Sequence, residues 1–311
     1  MREIFVNLKR FDVPRRLGGI CQSEDPRAWV EWIISESVRG GLGRLSGMEL
    51  TFLLPEGLIL EAAGRLASFP AQETRSINLG CQGVFREDVA PGGNFGAFTT
   101  NRPAAAAKNL GCTWTIVGHS EERRDKLGVI AKYDPDVLQN MAQQRKAKSA
   151  VDALINEEIL RALDAGLNVL VCVGETAEEK GEGDFPAQKP RIEEVLRAQL
   201  ATGLKEVAGK LDGRKIVLGY EPIWAIGPGR TPPGEDYIGF VSAFIKQTVK
   251  EIHGFDPTVV YGGGLKEENA GMIARIPAIG GGLVALTRFT GEIAFEPEGL
   301  IRIVGKYLEA G

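Results

Sequence analysis

Eight short apolar runs, rich in β-branched residues and lacking polar alternation, punctuate the chain and constrain its fold more than anything else in it. They are Ile4 to Asn7, Leu50 to Leu54, Ile77 to Cys81, Trp114 to Val117, Val169 to Val173, Ile216 to Gly219, Thr258 to Tyr261 and Gly282 to Leu286. Strands covered on both faces read this way, because neither side chain row meets water. Between and after them lie segments of helical period: Pro26 to Arg39, Glu56 to Leu66, Pro103 to Leu110, Asn156 to Asp164, Pro190 to Val207, Asp236 to His253, Glu267 to Ala274 and Pro297 to Leu308. Strand followed by helix, eight times over, predicts an α/β fold in which eight parallel strands close into a (β/α)8 barrel.

Two stretches exceed this scheme, Arg10 to Asp25 after the first strand and Asp125 to Val151 after the fourth. The second holds Asp134-Pro135, an N-cap and first-turn pair, followed by Val137, Leu138 and Met141 at helical spacing, which predicts an added surface helix. Asn156 before Glu157 and Glu158 reads as the N-cap of the following core helix. No linker or repeat divides residues 1–311, so one barrel domain with insertions near 10–25 and 125–151 is expected.

The net charge of −4 gives no bulk affinity for nucleic acid or anionic membrane. Four scattered cysteines without a CxxC pair argue against a zinc or redox site and suit a reducing compartment. The first residues turn charged before an apolar run forms and no stretch of ~18 apolar residues occurs, so a cytoplasmic protein is expected. Glycine stands out: 40 of 311 residues without a collagen period, a surplus that fits tight turns and backbone-lined sites.

In such barrels chemistry collects at the carboxyl ends of the strands. There the sequence puts Asn7-Leu-Lys9, Gly118-His119-Ser-Glu121 and Tyr220-Glu221-Pro222, with Gly262-Gly-Gly264 after strand seven. Of the two histidines, His253 closes a helix before Gly254, a structural position. His119 opens one, where the positive helix end favours a neutral ring; alone it reads equally as structural or catalytic. Glu221 is followed by Pro222, apolar Ile223 and Trp224, and Ala225-Ile-Gly-Pro-Gly229. That stretch reads as a lid able to exclude water from the carboxylate, or as a simple turn. The glycine turns after strands seven and eight could present N–H groups to a phosphate. The acidic run Glu175 to Asp184, alternating with Lys and Gly, reads as a solvated loop and not a metal site.

Taken together these residues resemble the triosephosphate isomerase family. Asn7-Leu-Lys9 is similar to its Asn-x-Lys, Ile116-Val-Gly-His119-Ser-Glu121 to its histidine strand end, and Tyr220-Glu221-Pro-Ile-Trp-Ala-Ile-Gly-Pro-Gly229 to its glutamate and lid. Val171 to Glu175, Tyr261-Gly-Gly263 and Gly96-Ala-Phe-Thr99 resemble its fifth and seventh strand ends and the loop that crosses its dimer. The resemblance implies a TIM barrel that isomerises a small sugar phosphate without cofactor or metal, as a homodimer. It implies Glu221 as the base, neutral His119 as the electrophile, Lys9 as the stabiliser of enediolate charge, with Asn7 positioning it, Glu121 partnering Lys9 and Ser120 beside the histidine. These roles are those of the family's well-known case of carboxylate and imidazole tuning.

The chain also departs from the family. Gly264 stands where a serine is usual, and Ala285 and Leu286 stand where two glycines bind phosphate, so the implied phosphate site comprises Gly227, Gly263, Gly264, Ala285 and Leu286, with Arg288 as a compensating charge. Glu122 replaces an arginine and Asn101 an acid, which implies that a structural salt bridge of the family is replaced. Triose phosphate is the first expected substrate, a four-carbon ketose phosphate such as erythrulose phosphate the alternative. A barrel that binds sugar phosphate without turning it over is the third reading, which retention of Asn7, Lys9, His119 and Glu221 disfavours.

Overall fold

The computed structural model describes residues 1–227 and 230–311. Eight strands close into a parallel barrel in sequence order: β1 (Arg2–Asn7), β2 (Met48–Leu54), β3 (Ile77–Cys81), β4 (Trp114–Val117), β5 (Asn168–Val173), β6 (Ile216–Tyr220), β7 (Thr258–Tyr261) and β8 (Gly281–Val284). Closure comes from β1 pairing with β8, Phe5 opposite Leu283 and Val6 opposite Val284. The helices are α1 (Pro26–Arg39), α2 (Ile59–Ala67), α3 (Ala71–Thr74), α4 (Ala104–Asn109), α5 (Ser120–Tyr133), α6 (Met141–Asp164), α7 (Ala177–Lys180), α8 (Phe185–Gly203), α9 (Glu235–His253), α10 (Glu267–Ala274) and α11 (Pro297–Ala310).

Seven of the eight strands, all but β3, place side chains in both of two cores, which is why most carry little polar alternation. Phe5, Leu53, Trp114, Ile116, Leu170, Cys172, Val217, Val260 and Leu283 fill the barrel interior. Their neighbours along the strands, among them Ile4, Val6, Phe52 and Val171, face the helices. Phe5 and Trp114 meet edge to face at 5.0 Å, an aromatic plug between opposite walls. At the amino end Lys215 reaches Glu3 (2.8 Å) and Glu49 (3.4 Å), tying β1, β2 and the entry to β6.

Several expected boundaries move. The helix before β5 does not begin at Asn156: α6 starts at Met141, capped by Asn140, whose Oδ1 accepts the N–H groups of Ala142 and Gln143. Asn156 lies inside α6 and donates to the carbonyls of Gly203 (3.0 Å) and Lys205 (2.9 Å) at the end of α8. Asp134 and Pro135 open a 3-10 turn and not a separate helix, and α5 runs directly to Tyr133. Pro190 sits within α8, which starts at Phe185 and stops at Gly203, and β8 stops at Val284, short of Ala285 and Leu286. No helix among the described residues is long and apolar enough to cross a membrane.

Candidate active site

Asn7, His119 and Glu221 stand at the carboxyl ends of β1, β4 and β6, or one or two residues beyond, with Lys9 and Glu121 following in the first turns after β1 and β4. The parallel register therefore carries them all to one mouth of the barrel. Lys9 takes φ +44°, a left-handed conformation disfavoured for a side chain of its size. Its backbone is held there from both sides. Asn7 Oδ1 accepts its N–H at 3.0 Å, and Gln82 Nε2 donates to its carbonyl (3.0 Å), to Asn7 Oδ1 (3.3 Å) and to Leu53 O (3.1 Å). Gln82 was not picked out by sequence reasoning; its position one residue past β3, in register with the ends of β1 and β2, was the available signal.

The Lys9 ammonium meets Glu121 Oε1 at 2.7 Å. Burial acts to raise the Glu121 carboxyl, but the Lys9 hydrogen bond and charge hold it below its ordinary range. His119 is the N-cap of α5: its Nδ1 accepts the N–H of Glu121 at 3.2 Å. A nitrogen that accepts carries no proton, so the ring in this arrangement is neutral with its proton on Nε2. That Nε2 lies 3.1 Å from Glu221 Oε1, while Ser120 N–H donates to Glu221 Oε2 at 2.9 Å. Glu221 is 2% exposed. Burial pushes its carboxyl above the usual range, opposed by His119, the Ser120 N–H and Lys9.

Arg123 braces the histidine turn, donating to Gly118 O (2.7 Å) and Cys172 O (3.1 Å) and pairing with Asp152 (2.5 Å). Glu122 accepts the N–H of Gly118 at 2.6 Å and pairs with Lys126, which also binds Glu158 at 2.8 Å. Asn101 is exposed.

Glu175 corrects the reading of its segment as a solvated loop. It is fully buried, and its Oε1 accepts from Tyr220 Oη (3.0 Å), Trp224 Nε1 (2.8 Å) and Tyr237 Oη (2.8 Å). Burial raises this carboxyl despite its three donors. The residues after it do turn outward, Thr176 forming a capping box with Glu179 at the start of α7. Trp224 lies in the loop that follows Glu221, so Glu175 anchors the root of that loop to β5 and α9. Gly174 admits the loop: a Cβ there would fall 1.8 Å from the carbonyl oxygen of Glu221. Ile226 and Gly227 are exposed beyond this anchor, and Pro228 and Gly229, the end of the expected lid stretch, lie outside the described residues.

The expected phosphate residues lie in the loops after β6, β7 and β8. Gly263 and Gly264 follow β7, and Ala285 and Leu286 follow β8. The N–H groups of Gly264, Ala285 and Leu286 have no protein acceptor among the described residues. Arg288 is engaged elsewhere, pairing with Glu296 at 2.7 Å and donating to Glu292 O at 2.6 Å. His253 Nε2 donates to Leu200 O (2.9 Å), remote from this mouth, in its expected structural position.

A family model described as triosephosphate isomerase matches residues 55–293. The triosephosphate isomerase of Chloroherpeton thalassium is 32% identical over 222 residues, 70% of this chain and 73% of its own length. That of Syntrophotalea carbinolica is 33% identical over 237 residues, covering 75% and 77%. Among solved structures, triosephosphate isomerase from Bartonella henselae superposes with a TM-score of 0.65 over 99% of both chains at 22% identity, a likeness of fold. The family match and the relatives together make this chain a member of the triosephosphate isomerase family.

Proposed function

We propose that the protein interconverts the aldose and ketose forms of a small sugar phosphate, with triose phosphate as first substrate and a four-carbon ketose phosphate as the alternative. The observation that carries this reading is the contact of buried Glu221 with His119 Nε2, a base whose basicity burial raises set against a neutral imidazole N–H. A substrate carbonyl entering between them takes the Nε2–H in place of Glu221. The freed carboxylate removes the proton from the carbon beside that carbonyl, leaving an enediolate, and returns it to the neighbouring carbon. His119 passes protons between the two oxygens, and the Lys9 ammonium offsets the negative charge while that charge exists. Asn7 acts through Lys9, as the acceptor that fixes its strained backbone. Glu121 keeps the ammonium directed until substrate competes for it.

Phosphate is assigned to backbone N–H groups of Gly227, Gly263, Gly264, Ala285 and Leu286, which can form an anion nest. Arg288 would have to leave Glu296 to join them. The loop of residues 91–97 is wholly exposed and ends in Phe95 at 93% and the approach to Thr99, a surface suited to the homodimer that the resemblance implies.

The deciding experiment measures kcat/KM on dihydroxyacetone phosphate and the erythrulose phosphates, with exchange of the substrate α-proton into solvent as the readout of chemistry. Glu221→Gln is expected to lower kcat by about 10² to 10⁴ with the fold intact. Near-unchanged turnover would remove Glu221 as the base, and no exchange with any substrate would favour a binding barrel.

A further inference from the structure

We propose that Lys266 is the cation that receives the phosphate group of the substrate, in place of a side-chain hydroxyl at position 264. The inference rests on the reading that a sugar phosphate binds at this mouth.

Gly264 sits at φ +96°, where any side chain would be strained, so the turn after β7 is built to do without one. The space is used by another residue of the same turn. A Cβ on Gly264 would lie 3.9 Å from Lys266 Cε, so the lysine stem runs past the point from which a side chain at 264 would start. The turn itself is pinned. Lys266 N–H donates to Asn269 Oδ1 (2.8 Å), Asn269 Nδ2 donates back to Gly264 O (3.1 Å), and Leu265 N–H donates to Leu283 O (2.8 Å) on β8.

The charge of Lys266 is unspent. At this end of the barrel Lys9, Arg15, Arg123 and Arg288 are paired with Glu121, Glu292, Asp152 and Glu296. Among the described residues Lys266 has no carboxylate partner; its Nζ rests 4.2 Å from the centroid of the Phe289 ring, in the loop after β8. An aromatic face holds an ammonium in place yet binds it far more weakly than a dianion does, so the ring parks the group without neutralising it. The parked ammonium and the uncommitted N–H groups of Gly264, Ala285 and Leu286 border the same pair of adjoining loops. The distance to the chemistry is short: a Cβ on Gly262 would touch Glu221 Cγ at 2.9 Å, and the two residues from Gly262 to Gly264 span at most about 7 Å. A phosphate bound there lies within one small sugar of the base.

The test compares wild type, Lys266→Met and Lys266→Arg for competitive inhibition by inorganic phosphate, direct phosphate binding by calorimetry, and KM and kcat on the sugar phosphates above. Lys266→Met is expected to weaken phosphate binding and raise KM by about ten- to hundredfold, the worth of one charge-assisted contact, with the smaller change in kcat. Lys266→Arg should recover most of the loss, because it keeps the charge, and the melting temperatures of all three should agree. Phosphate binding by Lys266→Met as tight as wild type overturns the proposal whatever the kinetics show. A wild type that binds phosphate through Lys266 yet turns over no sugar phosphate keeps the proposal and removes the isomerase reading.

Discussion

Buried carboxylates in this molecule sit in contrasting surroundings. Glu221 is buried against His119, whereas Glu158, on α6, is buried beside the Glu122 carboxylate with Lys126 between them. Burial and the neighbouring Glu122 charge push Glu158 up to about 9 from an ordinary 4.5. The folded protein therefore keeps a proton on Glu158 that the unfolded chain releases near pH 4.5. Stability from this group is fully present below that pH and drains away as pH rises toward about 9. Glu158→Gln holds the same shape neutral at every pH, so its stability relative to wild type should increase from pH 6 to pH 9 in urea unfolding. A constant difference between the two proteins across that range would show that Glu158 is ionised throughout.

Glu221 predicts a profile of the opposite sense in catalysis, because its work requires the carboxylate. Its raised pKa means that kcat/KM should fall as pH drops through a value above the usual carboxylate range, and Lys9→Met should move that fall higher by removing a favourable charge. A pH–rate curve that falls only in the ordinary carboxylate range would contradict the burial argument.

The eight strands were legible at the scale of elements because barrel strands are buried on both faces and announce themselves as predominantly apolar runs. Helix starts were less legible. Asn140 and Asn156 each precede residues compatible with a first turn, and local sequence, with Glu157 and Glu158 after Asn156, favours the one that does not cap. The choice is tertiary: Asn156 spends its amide on two carbonyls at the end of α8, which leaves Asn140 to cap. The two positions should fail differently. Asn140→Ala removes a cap worth about 1 kcal/mol and should speed amide exchange in the first turn of α6. Asn156→Ala strips two carbonyls of a donor and should loosen the junction with α8 while leaving that first turn protected. Matching exchange patterns in the two variants would contradict the assignment.

Glu175 illustrates the same boundary of local reasoning. Its neighbours in sequence are acidic and exposed, but its donors arrive from β6, the loop beyond it and α9. Nothing within the run Glu175 to Asp184 encodes Tyr237. The proposed catalytic residues could be picked out because they sit in short motifs at strand ends, which the fold brings to one mouth. The proposed phosphate site was harder to read, since backbone N–H groups leave no side-chain signature and Lys266 acquires its setting from Phe289 on another loop.

At the scale of the whole molecule the two ends of the barrel have separate duties. Lys215, with Glu3 and Glu49, works at the amino end, away from the mouth that holds Glu221. Lys215→Met leaves the nearly buried Glu3 unpaired, so it should lower the unfolding midpoint while KM and kcat of the folded fraction stay put. The proposed dimer uses the exposed loop at 91–97: sedimentation at assay concentration should give a dimer, with Phe95→Asp shifting it toward monomer. An active wild-type monomer would discard that assignment.

The pairing of Phe5 with Leu283 has a consequence for how the chain acquires its shape. The strand leading to Asn7 and Lys9 emerges from the ribosome first of the eight, and one of its two neighbours emerges last. Until β8 arrives, the first strand has an open edge, and the long loop that closure finally fixes carries the entropy of almost the entire chain. The residues that lead to Lys9 thus wait longest for their full setting. Folding should be governed by this least local contact, with slow, single-step acquisition of activity after synthesis and a need for shielding of the early edge in the interval.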